Sequence, residues 1–195
     1  MAVDRDRIRD LVRELLIAIG EDPDRPGLRQ TPTRVAEAYG EFFAGVGEDA
    51  AAPLAHTISV THGPAPDTLP SGAVMLRDIR FRSVCEHHLL PFAGRAHIAY
   101  LPGEQVVGLG ALPRVVDVLA GRPQVQERLG EQIADTIAGA LDTRGVLVVL
   151  DAVHECVTMR GGRQADASTV TIAARGELAE PVARAELIAL IGAGR

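Results

Sequence analysis

Apolar residues change period part-way along this 195-residue chain, and the order of the change limits the fold. Ile8, Leu11, Val12, Leu15, Leu16 and Ile19 recur at helical spacing, which predicts an amphipathic helix ending near Gly20. Two prolines and a glycine within 21–27 break it. Thr31-Pro32 predicts a second helix, with Thr31 as N-cap, Pro32 at the first helical position and Val35, Ala36, Tyr39, Phe42 and Phe43 as its apolar face. Residues 45–72 are rich in Ala, Pro and Gly and read as loop. From Ala73 the pattern alternates: Val74, Leu76, Ile79, Phe81 and Ser83 suit a strand, with a phase shift at Arg77-Asp78 that marks a bulge. A second strand over 95–101 ends at Pro102-Gly103. Helices follow over 109–119 and from Pro123 to about Leu141, the latter with Val125, Leu129, Ile133, Ile137 and Leu141 on one stripe. Segments 146–157 and 168–174 are rich in β-branched residues and read as strands, and Pro181 opens a terminal helix. Strand-strand-helix-helix-strand-strand, with the helices grouped together, argues an α+β fold over a parallel doubly wound sheet.

The expected organisation is a helical arm over 1–48, a linker over 49–72, a catalytic domain over 73–176 and a helical tail over 177–195. The 20 basic and 26 acidic residues sum to a net charge of -6, which disfavours a sequence-blind nucleic-acid binder. Aromatics are 3% with no Trp, too few for base-stacking platforms. Every basic residue is Arg, so Schiff-base and P-loop chemistry, both of which need an amine, are excluded. Any phosphate must be held by Arg forks and backbone N–H groups. No apolar run reaches a membrane span and the first residues lack an export signal; a cytoplasmic chain with reduced thiols is expected.

Chemistry concentrates in two places. Cys85-Glu86-His87-His88 is the densest run of ligating groups, and a Cys and a His three apart can close on one metal ion. The other cysteine lies in His154-Glu155-Cys156, read as strand, where residues two apart face one side. Cys85, His88 and Cys156 then form a Cys₂His set with an open fourth position, the ligand count of a catalytic zinc site. Two buried cysteines are also compatible with an inert core. With zinc in place, water would ionise near pH ~7, and the two remaining imidazoles, His87 and His154, could move protons near that pH. This is a hydrolase constellation aimed at an electron-poor carbon. His56 and His62 read as loop residues, and His97 as an ordinary strand residue.

Gln124-Val-Gln126-Glu127-Arg128 opens the longer helix. Glu127 offers a bidentate acceptor, the complement of the N1–H and 2-amino edge of guanine, although a first-turn Glu also serves simply as dipole complement. Arg34, Arg114 and Arg160 flank the candidate segments and could clamp phosphate, or form surface ion pairs.

These residues carry a resemblance. Residues 83–92 (Ser-Val-Cys-Glu-His-His-Leu-Leu-Pro-Phe), 121–129 (Gly-Arg-Pro-Gln-Val-Gln-Glu-Arg-Leu), His154-Glu-Cys156 with Arg160-Gly161, Thr31-Pro-Thr-Arg34 and Ser168-Thr169-Val-Thr171 resemble GTP cyclohydrolase I, in unbroken order from about residue 5 to 176. The resemblance implies a tunnelling fold, a ring-shaped homodecamer with active sites between subunits, and Zn²⁺ on Cys85, His88 and Cys156. It implies that Glu127 with Gln126 holds guanine, that Leu109 belongs to the substrate-binding set, and that Arg34, Arg114 and Arg160 contact the triphosphate. By the same carry-over His154 protonates the purine during attack on C8, and His87 serves proton transfers at the ribose. The reaction implied opens the imidazole ring of GTP, releases C8 as formate and yields 7,8-dihydroneopterin triphosphate.

One stretch departs from the family. Where it has Gly-Leu-Ser-Lys-x-x-Arg, this chain has Gly108-Leu109-Gly110-Ala111-Leu112-Pro113-Arg114, so a Ser hydroxyl and a Lys charge are missing. Losing one charge-assisted phosphate contact costs roughly 1.5–3 kcal/mol. Three alternatives follow: a paralogue acting on another purine nucleotide or stopping at a formamidopyrimidine or diaminopyrimidine, a non-catalytic nucleotide-binding homologue, and the nitrile reductase of the same fold. The cysteine and histidine set argues against the last two.

Overall fold

A computed structural model describes residues 3–59, 72–160 and 164–192. In chain order its elements are α1 (Arg5–Ala18), α2 (Thr31–Phe42), β1 (Thr57–Ser59), β2 (Val74–Cys85), β3 (Pro91–Pro102) and β4 (Gln105–Val107). They continue with α3 (Ala111–Ala120), β5 (Pro123–Gln124), α4 (Gln126–Ala140), β6 (Thr143–His154), α5 (Glu155–Thr158), β7 (Thr169–Gly176) and α6 (Pro181–Gly192).

Asp4 caps α1 by accepting from the Arg7 N–H at 3.0 Å, and α1 packs against α2. The N-cap of α2 is Gln30, not Thr31. The Thr31 N–H already donates to Leu28 O at 2.8 Å, so the turn before it supplies the helical conformation and Thr31 falls inside the first turn. The expected loop over 45–72 also needs correction. A 3₁₀ turn at Ala52–Leu54 buries Leu54, and β1 pairs antiparallel with β4. Three residues are too few to show a period, and the pairing that makes them a strand is non-local. Residues 60–71, with His62, lie outside the described part.

The main sheet runs β5-β2-β3-β6-β7, antiparallel except for β5 beside β2. Helices α3 and α4 cover one face, where Phe81, Phe92, Ile98 and Tyr100 meet Leu112, Val116, Leu129, Ile133 and Ile137. This burial supplies most of the driving force, at roughly 25 cal/mol per Å² of apolar surface. The other face carries a smaller cluster in which Ala99, Leu101, Leu147 and Val149 meet Leu178 and, from α6, Leu187.

The register of β2 against β3 shifts between Leu76 and Ile79, at the expected bulge. Asp78 there takes φ 60°, its N–H donates to Nδ1 of buried His97 at 3.2 Å, and its carboxylate accepts from Arg95 at 2.9 Å. Between β3 and β6 the approach is close at Gly94, where a Cβ would lie 2.0 Å from Asp151 O. Only glycine admits that contact, opposite Ala152 and so two residues before β6 ends at His154.

Candidate metal and catalytic site

The site lies where β2 ends and β3 begins. The chain reverses over 85–90: the Cys85 N–H donates to Leu90 O at 2.8 Å and the Leu89 N–H to Cys85 O at 2.8 Å. Leu89 takes the left-handed φ of 52° that such a reversal requires, a conformation costly for a side chain with a Cβ. The Glu86 N–H donates to Gln124 O at 3.0 Å, which fastens the turn to β5. The reversal brings His88 back over its own strand, with Nδ1 3.9 Å from Cys85 Sγ.

Cys156 arrives by a different route from the one its sequence suggests. The strand over 146–157 was expected to put His154 and Cys156 on one face; instead β6 runs from Thr143 and ends at His154, and 155–158 is a single helical turn. Beyond Phe92, the partner of His154, the chain turns away from the ladder, so nothing remains for residues 155–157 to pair with. The turn closes through Met159 N–H to Glu155 O at 3.0 Å and Thr158 Oγ1–H to His154 O at 3.2 Å. It carries Cys156 to the ligand turn all the same. One ligand atom each from Cys85, His88 and Cys156 lies within 4.8 Å of the others.

This donor set fits zinc. Tetrahedral bonds of about 2.3 Å to sulfur and about 2.0 Å to nitrogen place neighbouring ligand atoms roughly 3.5–3.8 Å apart, a little less than the 3.9 Å between Cys85 Sγ and His88 Nδ1. Three protein ligands leave one position for water or substrate. Burial pushes the Cys156 thiol up, and neighbouring Cys85 pushes it further, so a nearby cation would be needed to hold Cys156 as a thiolate.

His154 is half-buried beside this cluster. It lies directly opposite Phe92 across β3 and β6, so both side chains emerge on one face of the sheet. The rings stack, with centroids 4.5 Å apart and planes 5° from parallel. His154 Nε2 is 2.7 Å from Gln126 Oε1. Burial lowers the His154 pKa below its ordinary value, against an opposing pull from Glu127. Gln126 is buried, with its amide engaged entirely inside the chain, whereas Glu127 is exposed on the first turn of α4.

Among the other expected site residues, His87 is exposed, with Nε2 3.9 Å from Glu86. Arg160 is exposed and its Nη2 contacts His88 Nε2 at 2.5 Å. Leu109 precedes α3, which starts two residues later than expected, and is exposed. Arg34 on α2 and Arg114 on α3 are exposed, and no ion pair among the described residues joins either to the cluster. Gly161 lies outside the described part. Two site features had no sequence signal: the Phe92 stack, which needs the β3–β6 register, and the ion pair of Arg128 with Glu86. Among the described residues no helix is long and apolar enough to cross a membrane.

The geometry coincides with a family match. Residues 8–192 match the family model described as GTP cyclohydrolase I. The chain is 64% identical over 191 residues to GTP cyclohydrolase 1 of Leifsonia xyli subsp. xyli, covering 98% of this chain and 97% of that protein. It is 50% identical to GTP cyclohydrolase 1 of Carboxydothermus hydrogenoformans, covering 97% and 96%, and 48% identical to that of Streptomyces griseus subsp. griseus, covering 97% and 92%. With its clustered cysteines and histidine lying inside the matched span, this chain belongs to the GTP cyclohydrolase I family.

Proposed function

We propose that this protein hydrolyses the imidazole ring of GTP, releases C8 as formate and forms 7,8-dihydroneopterin triphosphate. The observation that carries this reading is the convergence of Cys85, His88 and Cys156 beside His154, in a chain closely similar over its whole length to proteins named GTP cyclohydrolase 1. Zinc held by the two thiolates and the imidazole would supply Lewis acidity and a nucleophilic hydroxide near neutral pH.

The protein's own groups do the rest. Glu127, exposed where α4 begins, accepts from the N1–H and 2-amino group of guanine. His154, clamped by Phe92 and Gln126, gives a proton to the purine as C8 is attacked. His87, exposed on the ligand turn, moves protons at the ribose. Arg160 is the phosphate contact nearest the cluster; Arg34, Arg114 and Leu109, all exposed, complete the substrate site between subunits. Assembly into a ring of ten tunnelling-fold subunits is supported by the sheet's exposed edge β7, whose Val170 and Ile172 are 57% and 47% exposed, and we place the reaction in the cytoplasm.

A second reading has one specific support. Gly110 and Ala111 stand where the resemblance expects Ser and Lys, yet the backbone does not demand glycine: φ is -68° and a Cβ would meet nothing within 4 Å. A serine would fit, so its absence is chemical and points to altered handling of the ribose and phosphates. Zinc-loaded protein incubated with GTP, with products identified by mass, tests both. Formate plus a pterin supports the first reading; an accumulating formamidopyrimidine that Gly110→Ser with Ala111→Lys converts to pterin supports the second. Absence of stoichiometric metal, or turnover unaffected by chelators, would sink both.

A further inference from the structure

We infer that Gln126 is a positioning residue which locks His154 in its Nε2–H tautomer, leaving Nδ1 as the nitrogen that exchanges protons with substrate. The inference rests on the reading of His154 as the proton donor and adds how that donor is held.

Gln126 is 1% exposed, although it sits on the first turn of a helix beside exposed Glu127. A buried primary amide must satisfy both of its ends. Its two ends look alike by shape, so the partners decide which is which. Gln126 Nε2 lies 3.1 Å from Leu150 O and 2.8 Å from Thr169 O, and 3.2 Å from Thr171 Oγ1. Carbonyl oxygens only accept. The NH₂ end must therefore face β6 and β7, and the amide cannot be turned round without setting oxygen against two oxygens.

That fixes the other end. Oε1 faces His154 Nε2 at 2.7 Å, and an amide oxygen only accepts, so Nε2 carries the proton. In the neutral ring Nδ1 then holds the lone pair. Phe92 stacked on the ring face hinders a flip that would put Cε1 in place of Nε2 against the amide oxygen. Two main-chain carbonyls on neighbouring strands thus set the protonation pattern of a site imidazole through one intervening amide. The side-chain amide of Gln126 is thereby turned to β6, β7 and His154, and the exposed carboxylate that faces outward beside it is that of Glu127.

The test reads the tautomer directly. Magic-angle-spinning NMR of protein labelled with ¹⁵N-histidine, above the imidazole range at about pH 9, distinguishes Nε2–H from Nδ1–H, with His154→Asn assigning the signal. The native protein is expected to show Nε2–H at His154; Nδ1–H there would overturn the inference without any Gln126 variant having to fold. Gln126→Met removes the acceptor at similar volume and should give a mixture of tautomers. Its kcat for GTP should fall at least about tenfold, part of the roughly 10²–10⁴ a general acid contributes, with KM within about twofold. A raised KM with unchanged kcat would overturn the inference by making Gln126 a substrate ligand. A mixed tautomer with unchanged kcat and KM would uphold the hold on the ring and overturn His154 as the proton donor.

Discussion

Arg128, on the first turn of α4, forms an ion pair with Glu86, the residue between the metal-site Cys85 and His87. The same guanidinium reaches Gln124 Oε1 at 3.3 Å and Pro123 O at 3.4 Å, and Gln124 in turn donates to Leu119 O and Gln132 Oε1, each at 2.9 Å. The ligand turn is therefore tied to the helix start that carries Gln126 and Glu127. The Arg128 guanidinium also holds the Glu86 carboxyl below its ordinary value.

Partly exposed ion pairs contribute little to global stability, so this one should act locally. Arg128→Met is expected to leave the metal-free unfolding midpoint nearly unchanged while weakening zinc affinity about 10–100-fold, the usual effect of losing a group that orients ligands. Competition with a chromophoric chelator measures it. Unchanged zinc affinity would show that the turn holds its shape by backbone hydrogen bonds alone.

Phe92 is 1% exposed, stacks on His154 and meets Phe81 edge-on at 6.0 Å. Phe92→Leu keeps an apolar core residue but loses both ring pairs, at a cost of roughly 1–3 kcal/mol in denaturant unfolding. Turnover should fall more than the stability loss explains, because the His154 ring loses its platform. A variant destabilised in that range with native kcat would confine Phe92 to packing.

Arg160 and a metal compete for the protonation pattern of His88. Arg160 donates to His88 Nε2 at 2.5 Å, while His88 Nδ1 lies 3.9 Å from the Cys85 thiol. Ligation through Nδ1 leaves the ring proton on Nε2, which then opposes the guanidinium donor to donor. Zinc loading should therefore free Arg160 for phosphate. A dicarbonyl reagent should modify Arg160 several-fold faster in zinc-loaded protein than in metal-free protein, read by peptide mass; equal rates would mean that the contact survives ligation.

Asp117 on α3 has its pKa raised by burial, with nearby Arg82 pulling the other way. A carboxyl whose folded pKa lies above its unfolded value supports folding at low pH and loses that support as pH rises through the folded value. Asp117→Asn should therefore gain stability over the native protein as pH rises from about 3 to 6, crossing the ordinary carboxyl range. Denaturant midpoints across that interval give the sign; a native protein that gains on the variant with rising pH would show that Arg82 dominates.

The sheet-and-helix order was legible from sequence because period 2 and period 3.6 are local properties. Alternation in β2 and the stripe on α4 survive in the fold, as does the bulge at Arg77-Asp78. The meeting of Cys85, His88 and Cys156 was legible too, since thiols and imidazoles at short spacing have few other uses. Strand β1 and the helical turn at 155–158 were not, because the first depends on a partner strand 48 residues away and the second on where the ladder runs out. Cys156 reaches the site by a turn, although alternation along a strand predicted the same meeting.

From composition and spacing alone came the fold class, the Arg-only chemistry and the three residues that could hold a metal, all of which follow from residue type and local period. Tertiary structure alone decided that Phe92 faces His154, that Arg128 reaches Glu86, and which end of the Gln126 amide meets the imidazole. Those depend on strand register and on carbonyl directions, which long-range pairing sets and no local pattern of side chains encodes.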